Sequence, residues 1–163
     1  MRKVLFTVIS AVVLLIAPSA YSPATADSLI GDDAPNFAIA NDSASIELKN
    51  MRGRYVLLSF WSSTDAESRI ANKAYNDFAV SGKGNSIEFV SVNFDPSTMV
   101  FKEIMKIDKL EASHLFHVAS NSTSALNEQY NLRSGYMSLL INPKGEVIAQ
   151  NPTTEEIQTL VNA

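Results

Sequence analysis

The sequence predicts an α/β fold: a central mixed sheet with helices on both faces, preceded by a β-hairpin. Three observations carry this. The run YVLLSF at 55–60 is apolar on every residue but one, the mark of a strand covered on both sides. Apolar strands then alternate with helical periodicity through residues 66–129. Finally, NPKG at 142–145 joins two apolar runs, with Pro second and Gly fourth in a type I turn, so those runs should pair antiparallel.

The elements follow in order. GDDAPNF (31–37) is a turn-rich opening. FAIA (37–40) and SIEL (45–48) flank NDSA and predict the hairpin. KNMRGR (49–54) is a short helical turn stopped by Gly53. After the strand at 55–60, residues 66–81 form the first long helix. Ile70, Ala74 and Phe78 fall at four-residue steps beside Ala71 and Tyr75, giving it an apolar face. Gly82 and Gly84 end it. IEFVSVNF (87–94) is the next strand. Pro96 and Ser97 open a second helix, whose expected buried face is Val100, Phe101, Ile104 and Ile107. HLFHV (114–118) is a short strand, 122–129 a short helix, and 137–142 and 146–150 the closing strands. Thr153 or Thr154 caps a last helix over 154–162.

The first 26 residues stand apart. Arg2 and Lys3 precede a long apolar run, no charge recurs until Asp27, and Ala24-Thr25-Ala26 has the small-residue form of a cleavage site. Residues 1–26 are expected to be a secretory signal peptide and 27–163 the folded domain, in a periplasmic or secreted protein. An uncleaved N-terminal anchor is the alternative, disfavoured by Pro18 and Pro23. The chain carries a formal charge of −4 and no basic stripe, so no nucleic-acid partner is expected. Nor is a membrane partner expected once the leader is removed. It has no cysteine, although an exported chain is free to form disulfides.

Three separated stretches carry a resemblance: GDDAPNF, IELKNMRGRYVLLSFW and YNLRSGYMSLLINPKGEVI. In order and spacing they are similar to the thioredoxin-like envelope proteins of the TlpA and ResA type, which border on the AhpC/TSA peroxiredoxins. The resemblance runs from about Gly31 to the C-terminus and implies a thioredoxin-like fold. It also implies thiol–disulfide chemistry at a Trp-Cys-x-x-Cys helix start. Those residues do not carry over. With Phe60, Trp61 and Arg69 aligned, Asp65 and Ser68 stand at the two cysteine positions and Thr64 at the preceding Trp. Tyr136 stands where the family has a cis-proline, and a trans bond is expected before it, because a cis bond to a non-proline residue costs about 2.5–4 kcal/mol.

Disulfide exchange needs a thiolate and a sulfur leaving group; a carboxylate at Asp65 supplies neither. TDAE (64–67) reads instead as a helix start, with Thr64 and Glu67 forming a capping box and Asp65 adding charge at the positive helix end. Asp65 and Glu67, two apart on a helix, point in different directions and make a poor acid–base pair. His114 and His117, three apart on a strand, face opposite sides and do not suit one metal ion. Lys83 lies in a helix-ending turn without the phosphate-loop motif.

The expectation is therefore a redox-inactive protein, not an enzyme, with no catalytic residue, cofactor or metal. It is expected to bind an envelope protein or peptide through Trp61, Thr64, Asp65, Ala66, Glu67, Ser68, Gly135, Tyr136 and Met137. The competing expectation is a thiol–disulfide oxidoreductase or antioxidant enzyme, by resemblance only, or an enzyme using non-thiol chemistry on the same surface.

Overall fold

A computed structural model describes residues 29–41, 44–84, 86–118 and 123–163. The expected leader, residues 1–26, lies outside them, as do the middle of the NDSA turn and the start of the expected 122–129 helix. Strands β1 (Ala38–Ala40) and β2 (Ser45–Glu47) pair antiparallel as the hairpin, and a 3-10 turn over Leu48–Met51 leads into β3 (Tyr55–Trp61). Then come α1 (Ala66–Val80), β4 (Ile87–Asn93), α2 (Thr98–Ile107), β5 (His114–His117), α3 (Thr123–Gln129), β6 (Ser138–Ile141), β7 (Val147–Gln150) and α4 (Thr154–Val161).

Five strands form one mixed sheet in the order β5-β4-β3-β6-β7. β3 runs parallel to β4 and β4 to β5, whereas β6 is antiparallel to both β3 and β7. The β6–β7 connection is the expected tight turn: the Gly145 N–H donates to the Asn142 carbonyl at 2.9 Å. Gly145 sits at φ 96°, where a side chain would be strained.

Strand alternation sorts β3 into two cores. Val56, Leu58 and Phe60 join Phe37, Leu126 of α3, Tyr130 and the hairpin on one face. Leu57 and Trp61 join Tyr75 and Phe78 of α1, Phe101 of α2 and Ile157 of α4 on the other. Each fully buried apolar side chain contributes about 1.5–3 kcal/mol, and β3, central and covered twice, concentrates that gain.

Two helix faces differ from expectation. In α1, Ile70 is 71% exposed and Ala74 is exposed too, while Ser68, Asn72 and Asn76 are buried beside Tyr75 and Phe78. The buried stripe is polar because the amide oxygens of its asparagines accept from the sheet and from the loop after α2, although Asn72 Nδ2 has no partner among the described residues. Ser91 Oγ donates to Asn72 Oδ1 at 2.8 Å, and the N–H groups of Glu111 and Ala112 donate to Asn76 Oδ1 at 2.9 and 3.0 Å. In α2, Phe101 is buried and Ile104 half-buried, but Val100 and Ile107 face outward at 43% and 66%. Arg69 locks the two helices together with a bidentate pair to Asp108, both bonds at 2.7 Å.

Candidate functional site

The site forms where β3 and β4 end side by side. Phe94 N–H donates to the Trp61 carbonyl at 2.8 Å, joining the two strand ends. Phe60 N–H donates to the Met137 carbonyl at 2.9 Å, which draws the 135–137 loop alongside. Between Trp61 and α1 the chain turns through Ser62, Ser63 and Thr64.

Asp65 is the N-cap of α1. Its backbone is extended (φ −105°, ψ 105°) and its carboxylate accepts from Ser68 N–H at 2.8 Å. Ser68, through its side chain and then its backbone, holds the Asp65 carboxyl below its usual range against the weaker effect of burial. This corrects the expected capping box. Thr64 lies one residue too early, and its hydroxyl pairs with Ser62 Oγ at 3.0 Å instead. The box motif occurs elsewhere, at α4, where Thr153 and Glu156 satisfy each other's N–H groups.

Asp95, which the sequence reading passed over, anchors the site. It is 2% exposed. Its Oδ1 accepts from Ser62 Oγ at 2.7 Å, Ser63 N–H at 2.8 Å and Ser63 Oγ at 2.9 Å, and its Oδ2 accepts from Asn93 Nδ2 at 3.0 Å. Burial pushes this carboxyl up, but the bonds from Ser62, Asn93 and Ser63 outweigh it and leave it below the ordinary range. A buried ionised carboxylate thus ties the turn before α1 to the end of β4. The available signal was the polar alternation of Asn93 and Asp95 in an otherwise apolar stretch.

Tyr136 closes the third side. Its ring lies 5.5 Å from that of Phe94. Burial raises its phenol above the usual value; the Asp95 and Asp65 charges act the same way and the Ser62 hydroxyl opposes them. The peptide bond before it is trans, as is every other among the described residues. Gly135 adopts φ 142°, ψ 157°, a region open essentially only to glycine, and so steers the loop.

Of the nine residues expected on the binding surface, Thr64, Ala66, Glu67 and Gly135 are exposed, and Asp65 and Tyr136 half-exposed. Ser68 is 8% exposed under the cap. Trp61 and Met137 do not belong to the surface. Trp61 is fully buried, its indole N–H donating to Ser91 Oγ at 2.7 Å, because its place in β3 points it at α1 and Phe101. Met137 is 5% exposed in the opposite core.

His117 accompanies the site without entering it. Its Nε2 lies 2.8 Å from the Asp95 carbonyl, its Nδ1 3.3 Å from Thr98 Oγ1, and its ring stacks on Phe101. His114 stacks on Phe116 of the other face, so the two imidazoles are separated by the sheet, as the strand period requires.

Comparison with known proteins adds four findings. A model of the AhpC/TSA family matches residues 30–150. The thiol-disulfide oxidoreductase ResA of Bacillus cereus is 27% identical over 124 residues, covering 73% of this chain and 67% of that protein. Among solved structures, a thioredoxin-like protein from Parabacteroides distasonis superposes with a TM-score of 0.68 at 35% identity, covering 82% of this chain and 95% of the other. A thiol:disulfide interchange protein from a Bacteroides species gives 0.67 at 19% identity, covering 82% and 88%, a likeness of fold.

Proposed function

The chain belongs to the AhpC/TSA family and has its thioredoxin-like fold, and we propose that within this family it is a redox-inactive module of the bacterial cell envelope that binds a protein or peptide. One observation carries the reading. The position where a nucleophilic thiolate would sit is held by Asp65, whose carboxylate is already used as the helix cap, and Ser68 fills the second position beneath it. No thiol exists elsewhere in the chain to replace them. Relatives bearing the name thiol-disulfide oxidoreductase support the opposing reading, but that exchange requires sulfur on the attacking side.

The binding surface in this reading is the exposed rim of Thr64, Ala66 and Glu67 with Gly135 and Tyr136. Tyr136 offers an aromatic face and a neutral hydroxyl, the kind of group enriched where proteins meet. The leader-like residues 1–26 support export to the envelope.

Two measurements test this. The purified protein should neither reduce a disulfide substrate nor consume peroxide above background, and turnover in either assay overturns the redox-inactive reading. Immobilised protein should capture defined envelope proteins that Tyr136→Ala fails to retain; an identical set on the variant overturns the assignment of this surface.

A further inference from the structure

α2 carries a second surface unrelated to the rim at Asp65. Its outer side borders a groove of about 810 Å3, within the range of ligand-binding clefts. The floor is apolar: Leu110 is buried, Met105 half-buried, and Met99 projects at 74% exposure. Two thioethers make such a floor adaptable to more than one side-chain shape.

The charged lining is mixed but net basic, three lysines against Glu103 and Glu111. Lys102 and Lys106 lie one turn apart on the same side of α2, and Lys109 follows just past its end. Lys106 is neutralised by Glu103 at 2.7 Å. Neither Lys102 nor Lys109 has a carboxylate partner among the described residues. Lys102, Lys109 and Glu111 thus stand without ion-pair partners among the described residues beside an open apolar floor, a net positive charge of one in a chain with 17 acidic and 13 basic residues.

Lys109 is also out of place as a structural residue. Leu110 N–H donates to the Met105 carbonyl at 2.9 Å and Lys109 N–H to the Lys106 carbonyl, the closing pattern of a helix whose following residue is left-handed. Lys109 takes that position at φ 53°. Glycine or asparagine suits it, and the other non-glycine residues with positive φ among those described are both asparagines, Asn131 and Asn151. A lysine there interacts well with the helix end, but Lys106 in the last turn already serves that purpose.

We propose that this groove docks an acidic segment of another protein, with an apolar side chain on Met99, Met105 and Leu110 and carboxylates against Lys102 and Lys109. Charge selects the occupant. An anionic bilayer would also meet the lysines, but a flat surface would press its headgroups against the exposed carboxylates of Glu103 and Glu111 in the same groove. A peptide can place its charges to avoid them.

The test pans a phage-displayed library of 12-residue peptides on the purified protein, then titrates a labelled consensus peptide by fluorescence anisotropy. Enriched sequences should set Asp or Glu beside an apolar residue. Lys102→Glu combined with Lys109→Gly should weaken binding at least tenfold, and Lys144→Glu, on the distant β6–β7 turn, should leave it within twofold. Lys109→Gly alone should weaken binding while leaving the melting temperature unchanged or raised, a combination that a purely structural lysine does not give. Enrichment without acidic residues, binding insensitive to both lysines, or a lowered melting temperature for Lys109→Gly overturns the proposal. Lysine-dependent sedimentation with phosphatidylglycerol vesicles in place of peptide binding overturns it too, in favour of a lipid surface.

Discussion

Replacing Asp95 with asparagine should destabilise the fold by about 2 kcal/mol at neutral pH. Three donors converge on Oδ1, from Ser62 and from the backbone and side chain of Ser63, and one reaches Oδ2 from Asn93. Bonds to a charged acceptor contribute about 1.5–3 kcal/mol each and neutral ones about 1, so the three that survive on an amide oxygen each weaken. The fourth is lost outright, because the new amide N–H2 faces the N–H2 of Asn93. Relief from burying a charge offsets part of this, which leaves the net near 2 kcal/mol. Urea unfolding followed by the fluorescence of Trp61, the single tryptophan and a buried one, reports the change. The midpoint should fall by about 1 M. The loss must also depend on pH. Asp95 is held below its unfolded value, so its contribution is fully present above about pH 4 and fades as pH falls through the depressed native value. The gap between wild type and Asp95→Asn should therefore narrow below about pH 4. A midpoint shift under about 0.3 M at pH 7, or a gap that persists unchanged in acid, would refute the view that an ionised Asp95 anchors the turn.

Two further outcomes are expected. Asp65→Ala should cost about 1 kcal/mol of stability through loss of the α1 cap, while Thr64→Ala should stay within about 0.5 kcal/mol; equal effects in chemical denaturation would reinstate Thr64 as the cap. Ser91→Ala should cost about 1–3 kcal/mol and change the emission of Trp61, because it strands the indole N–H and the Asn72 carbonyl oxygen together. An unaltered emission spectrum would argue against that buried chain of hydrogen bonds.

The order of elements was legible in the sequence because each strand is a dense apolar run bounded by turn residues, and the hairpin, the parallel centre and the NPKG turn all lie where those runs place them. The facing of the helices was not. Periodicity assigns burial to apolar residues, and α1 buries Asn72 and Asn76 because groups from distant segments donate to their amide oxygens, and Ser68 because it folds back on the Asp65 cap. No local pattern announces such partners. The same limit hid the site's anchor: Asp95 sits just before the helix start at Pro96 and Ser97, and its role shows only once β3 and β4 bring Ser62 and Ser63 to it. Trp61 shows how far the strand period reaches. Its motif places it beside the reactive position, but its side chain follows the strand's alternation into the core.

The cap on α1 has a consequence for anything that docks there. The exposed amides at the beginning of a helix ordinarily welcome a negative group from outside, and here the protein's own Asp65 takes that place. An incoming molecule finds the berth filled and a carboxylate facing it, with Glu67 close behind. Under the proposed binding role, a partner at this end of the protein would meet a test of sign before one of shape, and a positive or uncharged end would fit better than a negative one.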